Sequence, residues 1–419
     1  MKLKYSTAVV FCLFIGFFGL LSLLNFGNKL ITKPEDRQEM TMEKLSKQSL
    51  LDGSFATSFE SFFSEQFVMR STFVEFGKEV ELLKGIGSGE TQLLDHHVLD
   101  IVQTTTSVQK IDKKLEEELY SDDGVKETTW GQILIYNSAA MTLNTFSETA
   151  AINYADSINR YGEKFPALNI YSMLIPTQVE FIESDHYRSL SVPQSETIAQ
   201  INTLLSDRIK TVDVLGILHE HRNEYLYYRT DHHWTQRGAY YAYKVFAQAL
   251  GEEVPAIDDY SMSTAENFLG SLYKVTLNKS IAETPDSIEV FDPFTAHSYK
   301  SLQDQIKYND GQVLLKKWLA EEEKYAVFLG GDQAIVEIQT ELKNGRRMLV
   351  LKDSFANALV PFLVDIAETI IVVDPRFYDG DIESIVSEYE ITDLLFVNYA
   401  SITRRDVYSP LYNKLLSLE

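Results

Sequence analysis

Met348-Leu349-Val350-Leu351-Lys352-Asp353-Ser354-Phe355-Ala356-Asn357 is an apolar run that passes through three polar residues into a second apolar segment. Four consecutive apolar residues ending at a polar turn suit a strand buried on both faces, and Ala356 to Ile366 reads as the helix that follows. A serine at such a turn stands at the carboxyl edge of a sheet, where open α/β folds bind their ligands. The unpaired N–H groups of the helix start, that of Ser354 among them, can stabilise an oxyanion. Ser354 equally suits a plain structural task, because Ser is a favoured helix N-cap.

The same rhythm extends outward from this stretch. Ile133 to Tyr136 is a short apolar run, Phe146 to Tyr161 has helical spacing, and Leu168 to Ile175 is rich in β-formers and stops at Pro176. Gln194 to Ile209 reads as a helix, Thr211 to Leu218 as a strand, and Arg237 to Leu250 as a helix. Thr369 to Val373 and Leu394 to Val397 are two further strands. Strands alternating with helices predict an α/β fold of three layers, with a mostly parallel sheet covered on both faces.

A second polar segment decides between the two readings of Ser354. Tyr227-Tyr228-Arg229-Thr230-Asp231-His232-His233-Trp234-Thr235 leads into Gly238-Ala239-Tyr240. A serine hydroxyl is a weak nucleophile that needs a general base, and an imidazole in turn needs a carboxylate to fix its tautomer. Asp231 and His233, two residues apart on a turn, can supply both, and Thr235 can cap the helix that follows. Asp231, His232 and His233 are also possible metal ligands. Consecutive histidines usually diverge, however, and no second His-rich cluster accompanies them, so the expectation carries neither metal nor cofactor. His232 reads as a hydrogen-bonding support and Trp234 as core. Leu94-Asp95-His96-His97 repeats the Asp-His-His string without the Trp-Thr and helix start, and reads as coincidence.

Composition narrows the partners. With 38 basic against 61 acidic residues, the net charge of −23 repels nucleic acid, which is bound through clusters of Lys and Arg. The one cysteine, Cys12, excludes an internal disulfide and a thiolate metal site. It lies in an uncharged stretch from Ala8 to Leu24, preceded by Lys2 and Lys4. Roughly 17–25 residues span a bilayer, so 1–27 reads as an uncleaved membrane anchor with the remainder outside the cytoplasm; a cleaved signal is the alternative. An exported domain without cysteines suits a Gram-positive cell surface. Phe55, Phe59, Phe62, Phe63 and Phe67 recur at helical steps, which makes 28–90 a helical stalk. Gly85, Gly87 and Gly89 mark its end, 103–128 reads as a surface excursion, and 91–419 is the expected catalytic domain.

Together, Thr230-Asp231-His232-His233-Trp234-Thr235, Gly238-Ala239-Tyr240 and Lys352-Asp353-Ser354-Phe355-Ala356-Asn357 resemble the DHHW protein family. That family is related to the alginate O-acetyltransferases AlgJ and AlgX within the SGNH-hydrolase superfamily. Weaker echoes are Gly270-Ser271-Leu272-Tyr273, Val372 to Phe377, Phe396-Val397-Asn398 and Glu60 to Arg70. The resemblance implies an SGNH-like fold, with Ser354 as nucleophile, His233 as base and Asp231 as its orienting partner. The Asp-x-His precedes the serine by about 120 residues, the permuted order of the alginate-acetylating relatives. Lys352 stands where the superfamily usually has Gly. Implied function is acyl transfer to a polysaccharide, with the donor delivered by a membrane-bound O-acyltransferase; glycan deacetylation and a non-catalytic assembly role are the alternatives. Asn398 and Gly331 (with Gly330), His232 and Trp234 are candidate oxyanion or supporting residues. Arg229, Arg237 and Arg376 could form a basic groove, or serve as surface salt bridges.

Overall fold

A computed structural model describes residues 92–95, 132–302 and 311–416. The expected anchor and stalk, the 103–128 excursion and the His96-His97 pair lie outside these residues. Among the described residues no helix is long and apolar enough to cross a membrane.

In chain order the strands are β1 (Gln92–Asp95), β2 (Gln132–Tyr136), β3 (Ala139–Thr142), β4 (Asn169–Ile175), β5 (Ile209–Val212), β6 (Ser261–Phe268), β7 (Asp286–Asp292), β8 (His297–Ser301), β9 (Ile335–Thr340), β10 (Arg347–Lys352), β11 (Thr369–Val373) and β12 (Asp393–Tyr399). The principal helices are α1 (Glu148–Lys164), α2 (Gln194–Leu204), α3 (Val214–Glu220), α4 (Gln236–Ala249), α5 (Ser271–Thr276), α6 (Ala356–Leu363), α7 (Ile382–Glu388) and α8 (Tyr408–Leu415). A seven-stranded sheet has the order β5-β4-β12-β10-β11-β9-β8. Its first five strands are parallel to one another, and β9 and β8 each run antiparallel to their neighbour. Two small antiparallel sheets, β1-β2-β3 and β6-β7, accompany it.

Central strand β10 explains the layering. Met348 and Val350 pack with α4 and α6 on one face, while Leu349 and Leu351 pack with α1, α7 and α8 on the other. Alternate side chains point to opposite faces, so a strand apolar at every position must be covered twice. α1 shows the matching helical logic. Ser147 accepts the Ala150 N–H at its start, and Ala151, Tyr154, Ile158 and Tyr161 form the face turned to the sheet. α6 is buried along its whole length. Each of its large apolar side chains contributes about 1.5–3 kcal/mol by leaving water, which ties Ser354's turn to the core.

Two sequence boundaries are corrected. The helix expected to run to Ile209 stops at Leu204, and the strand expected over Thr211 to Leu218 is the short β5 followed by α3. Asp213 accepts the Gly216 N–H as the cap of α3, a signal that the apolar run Val212 to Leu218 masks. β6 to β9 were not anticipated. Because the first five strands of the large sheet are parallel, their carboxyl ends share one edge, and β4, β10 and β12 deliver Thr177, Ser354 and Tyr399 to it.

Candidate active site

The motif loop is held in shape by its own backbone. Tyr227 bridges Trp234, Thr235 N–H donates to Leu226 O at 2.9 Å, and Thr235 Oγ1 accepts the Gly238 N–H at 3.2 Å to start α4. A Cβ on Gly238 would stand 2.7 Å from Leu226 O, so the glycine allows this close return of the chain. Asp286 at the head of β7 anchors the loop tip. It accepts Thr230 N–H at 2.7 Å and Thr230 Oγ1–H at 2.6 Å through one oxygen, and Arg229 N–H at 2.9 Å through the other. No sequence signal marked Asp286, which lies 56 residues from Thr230.

Asp231, 5% exposed, is shaped from the opposite side by α5. Its Oδ2 accepts the Ser271 N–H at 2.8 Å, while Oδ1 accepts the His233 N–H at 2.9 Å and lies 2.6 Å from His233 Nδ1. A Cβ on Gly270 would fall 2.3 Å from Asp231 Cβ, which gives the Gly270-Ser271 echo its physical reason. Burial alone would raise the Asp231 carboxyl, but His233 beside it and the converging N–H donors hold it well below the usual carboxylate range.

With Nδ1 turned to a carboxylate, His233 carries its proton there, and Nε2 faces Ser354 Oγ at 2.7 Å. Ser354 does not cap α6: the helix has no side-chain cap, Asp353 Oδ1 accepts the Phe355 N–H at 2.9 Å in the turn ahead of it, and the Ser354 hydroxyl is left for His233. Asp353 Oδ2 accepts the Tyr399 N–H at 2.8 Å, which joins the ends of β10 and β12. The Ser354 N–H has no acceptor among the described residues. Trp234 is fully buried, and its indole N–H donates to Phe355 O at 2.8 Å, fastening the motif loop to the nucleophile turn. It is core, as its size suggests, with one polar bond that fixes register.

Against the expectation that consecutive histidines diverge, the His232 ring lies 3.6 Å from that of His233; it lines the cleft, with its Nδ1 2.7 Å from Ser271 Oγ. Burial, then the neighbouring His233, pushes its pKa down to about 3, so it is neutral near pH 7. The potential ligand atoms of Asp231, His232 and His233 lie within 4.8 Å of one another. Their bonds to each other, to Ser271 and to Ser354 nevertheless form a hydrogen-bonded relay.

The cleft above Ser354 is walled by Ala140, Met141, Leu272 and Phe355 and by Thr177, Gln178, Ser401 and Arg404. Asn398 and Gly331 do not line it. Asn398 is fully buried behind Asp353, its carboxamide oxygen accepting the hydroxyls of Tyr154 and Tyr412, so it braces the turn. Gly331 sits in a left-handed turn at φ 85°, with its N–H donated to Phe328 O. Both expected oxyanion roles are thereby corrected: each group already has protein partners. None of the three proposed arginines forms a groove. Arg229 pairs with Asp286, Arg237 with Glu289, and Arg376 with Asp332 and Asp374. Sequence reading missed Tyr325, whose ring stacks on His233 at 4.0 Å and 8°. No motif surrounds it.

An open α/β sheet that presents a hydrogen-bonded Asp–His–Ser set at its carboxyl edge is the architecture of a serine-hydrolase-like protein. The chain belongs to the DHHW protein family, whose pattern matches residues 111–373. It is similar to the crystal structure of a DHHW family protein from Eubacterium siraeum, at 31% identity and a TM-score of 0.63, over 70% of this chain and 98% of that one. PatB1 of Bacillus cereus shares the fold at 22% identity and a TM-score of 0.53, over 64% and 96% of the two chains. A second PatB1 structure, with a sulfonyl adduct, matches at 20% identity and the same TM-score, over 64% and 95%. Comparison with curated proteins gives no match.

Proposed function

We propose that the chain is an O-acyltransferase that moves an acetyl group onto hydroxyls of an exopolysaccharide or other cell-surface glycan through an acyl-Ser354 intermediate. The observation that supports this most is the unbroken relay from Asp231 through His233 to a Ser354 hydroxyl released from capping. His233 Nε2 takes the Ser354 proton as Oγ attacks the donor's acyl carbon. The oxyanion forms against the Ser354 N–H, and His233 returns the proton to the leaving group. A sugar hydroxyl then gives its proton to His233, attacks the acyl carbon and releases Ser354, which regains a proton from His233. Asp231 stabilises the imidazolium in both halves.

Anchoring by 1–27, exposure outside the cytoplasm of a Gram-positive cell and delivery of the acyl group by a membrane-bound O-acyltransferase complete the proposal. They rest on the N-terminal sequence and the family resemblance. If water replaces the sugar, the same intermediate makes the protein a glycan esterase.

The test offers full-length chain an activated acetyl ester, with and without an oligosaccharide acceptor. Expected is an acetyl adduct on Ser354 whose decay the acceptor accelerates, yielding an acetylated sugar. Ser354→Ala and His233→Ala are each expected to lose at least about 10³-fold in turnover. Decay indifferent to acceptors, with free acetate as the product, would establish the esterase. Unchanged turnover in Ser354→Ala would remove Ser354 as nucleophile. Wild type unreactive toward both the ester and a sulfonyl fluoride, the reagent class suggested by the adduct on PatB1, would favour an assembly role.

A further inference from the structure

Tyr325 touches both ends of the relay and belongs to neither motif. It sits in a helical turn, Lys324–Val327, in the segment before β9. Its ring lies 4.0 Å from the His233 ring and 8° from parallel, while its hydroxyl donates to Ser354 O at 3.2 Å. Tyr228 and Phe328 meet the same ring edge-on, at 6.2 Å and 5.2 Å, which leaves it little room to rotate. The segment itself is fixed by the bridge between Leu314 and Phe328 and by an ion pair from Glu323 to Lys274 on α5, the helix whose Ser271 clamps Asp231.

An imidazole held at Nδ1 by one hydrogen bond can still swing about that bond and carry Nε2 away from the serine. Face-to-face stacking by a rigid ring opposes this tilting, and of the three rings that touch His233 only Tyr325 lies parallel to it, since His232 at 3.6 Å and Phe355 at 5.2 Å are tilted by 39° and 57°. Displacement of a reacting group by about 1 Å can cost on the order of 10² in rate, so the restraint is worth having. We infer that Tyr325 is a positioning residue: its aromatic face fixes the His233 ring in the plane that aims Nε2 at Ser354, and the hydroxyl bond to Ser354 O is secondary. This rests on the reading of Ser354 as the acylated residue.

Two readouts separate the inference from that reading. The first is the rate of Ser354 acylation by the activated ester in full-length chain, with KM measured alongside. Tyr325→Leu is expected to slow acylation about ten- to hundredfold with KM nearly unchanged, and Tyr325→Phe to stay within about threefold of wild type. The second needs no turnover. The Nδ1 proton between His233 and Asp231 is expected as a downfield proton resonance, absent in His233→Ala, kept in Tyr325→Phe and broadened or lost in Tyr325→Leu. Tyr325→Phe removes a single hydroxyl and is expected to fold, so a loss of more than tenfold in that variant overturns the inference even if Tyr325→Leu proves unstable. A sharp, unshifted resonance in folded Tyr325→Leu overturns it as well. If wild type forms no Ser354 adduct but the resonance still depends on the ring, acylation fails as a reading and the positioning role stands.

Discussion

Ser354 and Lys352 are two residues apart, yet the turn between them leads into two buried polar clusters built on opposite plans. Around Lys352 every charge meets its opposite. The ammonium bonds Asp332 and Asp374, both at 2.9 Å, and Arg376 bonds the same two carboxylates at 2.8 and 2.7 Å. Burial opposes the charge on each group, but the carboxylates raise the Lys352 pKa and the cations hold Asp332 well below its usual range. Around Ser354 the buried carboxylates, Asp231 and Asp353, are matched chiefly by N–H groups, and the chain of bonds from Asp231 ends on a hydroxyl that lines the cleft. The closed cluster secures the ends of β10 and β11; the open one leaves a proton to move. A buried charge is tolerated only when it is paired or well solvated by donors.

That contrast predicts a double dissociation, and its largest effect is kinetic. Ser354→Ala should remove at least about 10³-fold of turnover while changing stability by less than about 1 kcal/mol, because the small hydroxyl is half-exposed and caps nothing. Lys352→Met should act the other way round. It removes one of the two cations that Asp332 and Asp374 share and leaves Arg376 alone against both carboxylates, a loss of about 1–3 kcal/mol seen as a lower denaturant midpoint. Adding Asp374→Asn should recover part of that loss, since Arg376 then balances a single carboxylate, that of Asp332. If Lys352→Met melts like wild type, the closed cluster contributes nothing and the comparison collapses.

The relay was legible in the sequence and its supports were not, for a physical reason. Asp231, His233 and Ser354 sit in two compact strings whose residue types are tied to one chemistry, and the strand-to-helix turn at Ser354 announces itself by hydrophobic pattern. Asp286, Ser271 and Tyr325 act from separate elements, and their contacts exist only once β7, α5 and the segment before β9 have folded onto the motif loop. Asn398 and Gly331 show the converse error. Position near a strand end suggested free donors, but a buried amide or N–H at such an end is usually taken by the protein itself. The parallel strands β4, β10, β11 and β12 could be read from their apolar runs. β6, with five of its eight residues exposed, could not.

Gly270→Ala probes the open cluster from its backbone side, with a smaller effect. The new methyl would overlap Asp231 Cβ at 2.3 Å, so either α5 or the carboxylate must shift. Expected are a stability loss of roughly 1–3 kcal/mol and, because Asp231 orients His233, a fall of about tenfold in acylation rate. Gly216→Ala is the control. Its Cβ would come within 2.9 Å of the Asp213 carboxylate at the exposed cap of α3, a helix that gives no residue to the relay or the cleft, and acylation should be unaffected. Equal kinetic losses in both variants would show that the glycine at 270 matters only for general stability.

His232 gives the smallest effect and the finest test of how the open cluster is balanced. Burial and the adjacent His233 depress its pKa from 6.5 to about 3, with Arg376 acting in the same direction and Asp231 and Asp332 opposing. The unfolded chain therefore binds a proton at this residue between about pH 6.5 and 3 while the native protein does not. Stability should be fully present above pH 6.5 and fall as the solution is acidified through that window. One such group can contribute at most about 1.4 kcal/mol per pH unit, and the partial exposure of the His232 side chain, 19%, places the expected slope below that limit. Asp231 adds loss of the same sign from the ordinary carboxylate range, about pH 4, downward. Denaturant titrations of wild type and His232→Gln at pH 7, 6, 5 and 4 should diverge progressively, with the variant flatter because Gln can still face Ser271 but does not titrate. Parallel curves would mean that native His232 takes up its proton as readily as the unfolded chain does. His232 would then be charged in the acidified native protein, and the neutral neighbour assumed beside the relay would no longer hold.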